Sequence, residues 1–161
     1  EIDLGSLSSS QGFIIAGAGS GDDAGCSVNT AGDVNGDGYV DLIIGARYAD
    51  PNSRSNAGIS YVIFGKASGF STISLASLSS SDGFAIQGAV AGDGSGYVVS
   101  SAGDINKYGF ADVLIGAPFA SPNGRSTAGS SYVIFGKSSG FSTIDLGSLS
   151  SSAGFTFQGS A

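Results

Sequence analysis

The chain has 161 residues, 41% of them apolar and only 12% charged, with thirteen acidic against six basic side chains and a net charge of -7. No basic stripe is available to neutralise phosphates, so nucleic-acid binding is excluded, and the scattered cations argue against an anionic membrane surface. No apolar run approaches the roughly 18 residues of a membrane span. With no His and one Cys, the chain can build neither a Ser-His-Asp or Cys-His catalytic arrangement nor an internal disulfide.

Solubility comes instead from serine and 28 glycines, a composition that suits turn-rich β-structure. The apolar runs are short, β-branched or aromatic, and bounded by glycine, which reads as strand. In chain order the predicted strands are Phe13–Ala16, Cys26–Ala31, Asp41–Ala46, Ser60–Phe64, a short Ile73–Leu78 segment and Phe84–Gln87. Tyr97–Ala102, Asp112–Ala117, Ser131–Phe135 and Phe155–Gln158 follow.

An offset of 71 residues carries Ile2-Asp3-Leu4 onto Ile73-Ser74-Leu75 and then onto Ile144-Asp145-Leu146. The same offset superposes Leu42–Ala46 on Val113–Ala117 and Tyr61–Lys66 on Tyr132–Lys137 without a gap. This is internal duplication. It divides the chain into 1–72, 73–143 and the start of a third unit at 144–161, whose outer strand completes the second blade. Four antiparallel strands joined by glycine-rich turns make a propeller-type blade, which cannot bury both faces alone. The expected fold is therefore all-β: two tandem four-stranded antiparallel blades plus an extra N-terminal strand, Phe13–Ala16. Two blades and a spare strand do not close a ring, so either further repeats complete it or the spare strand pairs with another copy. The chain has no Met and begins at Glu1, which suggests a processed form or a fragment.

Asp33-Val34-Asn35-Gly36-Asp37-Gly38-Tyr39-Val40-Asp41 has side-chain oxygens at positions 1, 3, 5 and 9. Alternate residues of a tight loop converge, and calcium takes six to eight oxygens, so the expected ligands are Asp33, Asn35, Asp37, the Tyr39 carbonyl and Asp41. Gly38 is expected at positive φ. A helix-flanked calcium loop would need Glu at position 12, where Ile44 stands instead. The alternative is a plain Asn-Gly and Asp-Gly turn held by local hydrogen bonds. In the second repeat, Asp104, Asn106, Phe110 and Asp112 form a weaker candidate site. Its fifth position is Tyr108, next to Lys107, and either side chain is expected to fill space where an ion would sit.

The run Gly32–Ala46 resembles the FG-GAP repeat of integrin α-subunit propellers and bacterial surface proteins, and Gly116-Ala117-Pro118 matches its GAP half. The resemblance implies propeller blades with Ca2+ at the blade edge, an extracellular or cell-surface location, and a structural or adhesive role without catalysis. The expected partners are copies of itself in a homopolymer, neighbouring repeats, or a surface protein or glycan. A filament or surface layer built by strand addition is one reading; a portion of a larger closed propeller that binds a carbohydrate or protein is the other.

Other features carry plainer readings. Asp22, Asp23, Asp50 and Asp93 lie in turns, where solvation competes with an acid–base role. Asp50–Arg54 and Asn123–Arg125 recur between the second and third strands as turns or as binding loops. The triplets Ser8–Ser10, Ser79–Ser81 and Ser150–Ser152 read as polar turns or as sugar acceptors. Cys26 is expected to be a small buried strand residue, with an intermolecular disulfide as the alternative.

Overall fold

A computed structural model describes residues 2–8 and 10–160. Glu1, Ser9 and Ala161 lie outside the described residues, and with them the middle of the first serine triplet and the outer limits of the first and third units.

The first sheet is built from β2 (Ala24–Gly32), β3 (Asp41–Ala46), β4 (Ile59–Ile63) and β6 (Gly83–Gln87). These run antiparallel in the order β2-β3-β4-β6 and form blade 1. Blade 2 repeats the order with β7 (Val98–Gly103), β8 (Asp112–Ala117), β9 (Ser130–Ile134) and β11 (Gly154–Gln158). The fold is all-β with propeller-type blades, and the two sheets do not close into a ring.

The side chains of each strand alternate between faces. On blade 1, Ile43, Val62, Phe64, Phe84 and Ile86 point towards blade 2. There they meet Val99, Val113, Ile115, Tyr132 and Ile134 in one buried core. Phe141, from the loop after β9, lies against both Phe64 and Phe84, with ring centroids 5.0 and 4.8 Å away. The opposite face of blade 1 carries Ile44, Tyr61 and Ile63 and forms a second core beneath Phe13, Ile15, Ile73 and Leu75.

The short segment expected before each outer strand behaves differently from its neighbours. Ile73–Leu78 divides into β5 (Ile73–Ser74) and a 3-10 turn at Leu75–Ser77, and β5 pairs in parallel with β1 (Ile15–Ala16). One repeat later β10 (Ile144–Asp145) pairs in parallel with β6, adding a fifth strand to blade 1. Each segment thus leaves its own blade and grips the outer strand of the blade before it. The spare strand Phe13–Ala16 is shorter than expected and is held within the chain: Ile15 pairs with Ile73 and Ala16 with Ser74. The ring of Phe13 stacks on Phe70 at 4.5 Å.

Two side-chain expectations are corrected. Cys26 is exposed, because its strand lies at the sheet edge; its thiol points at the carbonyls of Gly45 and Gly96 at 3.5 and 3.6 Å. Tyr108 is 77% exposed and fills no space in its loop, because its backbone N–H, not its ring, is what the loop uses.

Candidate functional site

The loop joining β2 to β3 is organised by its carboxylates. Asp33 Oδ1 accepts the N–H groups of Gly36 and Asp37 at 2.7 and 3.1 Å, and its Oδ2 accepts that of Gly38 at 2.9 Å. Asn35 Oδ1 accepts the Asp37 N–H, and Asp37 Oδ1 accepts the Tyr39 N–H. The Asn35 amide donates to Asp37 Oδ2 at 2.9 Å. Gly38 has φ +87°, the left-handed conformation that a Cβ disfavours. Asp41 is fully buried at the start of β3. Its oxygens accept the N–H groups of Val34 and Gly65, both at 2.8 Å, tying the loop to the end of β4.

Burial pushes the Asp41 carboxyl above the usual carboxylate range, against its two backbone donors, and the charges of Asp37 and Asp33 push it further up. Three carboxylates therefore repel one another across one short loop. Among the described residues, however, no group of three or more Asp, Glu, His or Cys side chains is arranged to hold a metal ion. The reason is visible in the bonds above: Asp33 and Asp41 direct their oxygens at backbone N–H groups. The donor set itself consists of hard oxygens, the chemistry a calcium ion takes.

The second loop keeps most of this frame. Asp104 accepts the N–H groups of Tyr108 and Gly109 at 3.1 and 2.8 Å, and Asn106 Oδ1 accepts that of Tyr108 at 3.0 Å. Asp112 accepts those of Ile105 and Gly136 at 3.0 and 2.9 Å. The Asn106 amide nitrogen is buried and has no hydrogen-bond partner among the described residues. Phe110 does not stay within its own loop. Its ring lies against Gly36, where a Cβ would stand 2.5 Å from it.

That contact belongs to a larger joint that the sequence did not disclose. The carbonyl of Asp33 accepts the N–H of Ala111 at 2.8 Å, and the carbonyl of Val34 accepts that of Lys137 at 3.0 Å, both from blade 2. The first loop is therefore clamped between the blades. Elsewhere in the joint, a Cβ on Gly45 would collide with the Gly96 carbonyl, and one on Gly58 with that of Ser95. At the outer rim, Arg54 makes two parallel 2.9 Å bonds to the Asp145 carboxylate, and a third donor bond goes to the Ala89 carbonyl. Asn52 donates to Gln87 at 2.8 Å. Arg54 holds the Asp145 carboxyl below its usual range. The signal available beforehand was the recurrence of Arg54 and Arg125, and of Asp3 and Asp145, at fixed places in the period.

A pair of four-stranded blades, each opening on an Asp-x-Asn loop between its first two strands, defines a tandem β-propeller-type repeat protein. The chain contains two FG-GAP repeats: the family model matches residues 27–63 and 95–134, which run from β2 to β4 and from the approach to β7 through β9. No curated protein matches the chain. Among the described residues no helix is long and apolar enough to cross a membrane.

Proposed function

We propose that the chain is a non-catalytic, calcium-stabilised structural or adhesive module of the extracellular space or cell surface. It assembles with copies of itself, by strand addition, into a filament or surface layer. The observation that carries this reading is the crowding of Asp33, Asp37 and buried Asp41 in the loop that also receives Ala111 and Lys137 from blade 2. A bound calcium ion would supply positive charge that offsets this repulsion. Asp33, Asn35, Asp37, Asp41 and the Tyr39 carbonyl would hold it. The protein's own contribution is mechanical: the loop's carbonyls fix blade 2 against blade 1, and the buried faces complete the joint. The second loop has Tyr108 where the first has Asp37, and Lys107 stands beside it, so it carries one carboxylate fewer and has less need of an ion. The location follows from the usual setting of FG-GAP repeats. A surface protein or glycan on neighbouring cells is a further partner class for such a module.

Thermal unfolding of the purified chain in calcium and then in excess chelator tests the reading. The expected result is a fall in Tm on chelation that added calcium reverses and added magnesium does not. A melting curve indifferent to both ions overturns the calcium part of the proposal.

A further inference from the structure

The joint between the blades is made once within the chain, yet both of its halves are present a second time without a mate. Ile43 and Ile86, on the mated face of blade 1, are 0% exposed; their counterparts one repeat on, Leu114 and Phe157, are 36% and 58% exposed. The carbonyls of Asp33 and Val34 receive blade 2, whereas among the described residues those of Asp104 and Ile105 receive no backbone N–H from another blade. Gly116 is the most telling position. Its counterpart Gly45 must lack a side chain because the Gly96 carbonyl fills the space. At Gly116 a Cβ would meet only Val98 of its own blade, at 3.5 Å or more, and the backbone φ is not positive. Blade 2 has no use of its own for this glycine, and a groove of about 540 Å3 lies over it.

The other half is blade 1's second face. Phe13–Ala16 occupies it as the outer strand of a preceding blade would. Phe13 stacks on Phe70, just as Phe84 lies against Phe141, and β1 pairs with β5 in the register in which β6 pairs with β10. Two paired residues hold β1, whereas β11 is held by five antiparallel pairs to β9.

We propose that a second copy of the chain docks its blade 1 on the open face of blade 2 and so repeats the internal joint head to tail. This rests on the self-assembling reading above and names the surfaces. The strand β11 of one copy takes the place of β1 in the next, with Phe155 where Phe13 stood. The incoming Ile73–Ser74 then adds as a fifth strand along β11, Ile73 opposite Phe157 and Ser74 opposite Gln158. Ala24-Gly25-Cys26 enters the groove over Gly116, and the Val40 and Lys66 N–H groups reach the carbonyls of Asp104 and Ile105. The contact is heterologous, so it extends into a filament or closes into a ring. It lacks one element of the internal joint: Arg125 meets Ser74, where Arg54 meets Asp145.

Light scattering against protein concentration in calcium, on the full chain, tests this. Wild type is expected to grow in steps of one chain. Gly116→Val is expected to remain a single chain with the melting temperature that wild type has at concentrations where it too is a single chain, and Phe157→Asp, at an exposed site, gives the same result by a second route. Ser74→Asp is expected to tighten association roughly 5-fold, by supplying Arg125 with a carboxylate. Wild type that stays a single chain at every concentration overturns the assembly and leaves the face to another blade; the calcium reading is judged separately by the chelator melt. Wild type that assembles while Gly116→Val and Phe157→Asp assemble equally well overturns this interface and spares the self-assembling reading.

Discussion

Blade 1 and blade 2 share a fold and a strand order, but their surroundings differ. Blade 1 has its loop carbonyls bonded, its arginine paired and its inner face sealed by a neighbour. In blade 2 the counterparts Leu114, Phe155 and Phe157 are partly exposed, Arg125 has no carboxylate partner among the described residues, and the loop has exchanged Asp37 for Tyr108. Contacts between blades therefore add to the ladders within them, and they do so on one face of blade 2 only. A residue's effect is set by whether its joint is mated, so identical substitutions one repeat apart are expected to differ.

The largest contrast is expected at the paired glycines. Gly45→Val drives a side chain into the Gly96 carbonyl and is expected to destabilise by about 3 kcal/mol or more. Gly116→Val, measured by the same urea denaturation, is expected to change stability by less than about 0.5 kcal/mol. Equal effects would break the distinction between mated and unmated joints. The next contrast is in the core. Ile43→Ala removes a fully buried side chain and is expected to cost about 3 kcal/mol, whereas Leu114→Ala, at its partly exposed counterpart, is expected to cost about 1 kcal/mol.

A smaller effect belongs to the rim clamp. Arg54→Ala is expected to lose about 1 kcal/mol at neutral pH and low salt, and Arg125→Ala less, since no ion pair of Arg125 is found among the described residues. The pH dependence sharpens this. Arg54 holds the folded Asp145 carboxyl below its usual range, so its contribution is fully present above the ordinary Asp value of about 4. It is lost as the pH falls through the depressed value. The stability gap between wild type and Arg54→Ala should therefore close on acidification. A gap that stays constant down to about pH 2 would show that Arg54 acts through the Ala89 carbonyl instead.

Much of the fold was legible because its strands are short β-branched or aromatic runs between glycines. Asp41–Ala46 and Asp112–Ala117 fall where those runs begin and end. In the first loop the alternation of Asp33, Asn35 and Asp37 signalled converging oxygens, and the bonds these residues make to backbone N–H groups are those of the turn alternative. What escaped was everything decided across blades. Two-residue parallel pairings such as Ile144 with Ile86 have no periodicity to announce them, and the exposure of Cys26 depends on which sheet edge its strand occupies. The same holds for Phe110, which reads as a loop residue of blade 2 and packs on the loop of blade 1.

We propose that the Asp33–Asp41 loop is a calcium-dependent joint and that Asp104–Asp112, with Tyr108 in place of the third oxygen, is not. Calorimetric titration of the full chain with calcium tests it most directly, with Asp37→Ala as the comparison. One ion per chain is expected for wild type, and no binding heat for Asp37→Ala. Two equivalent ions per chain, or no heat from wild type at millimolar calcium, would contradict it.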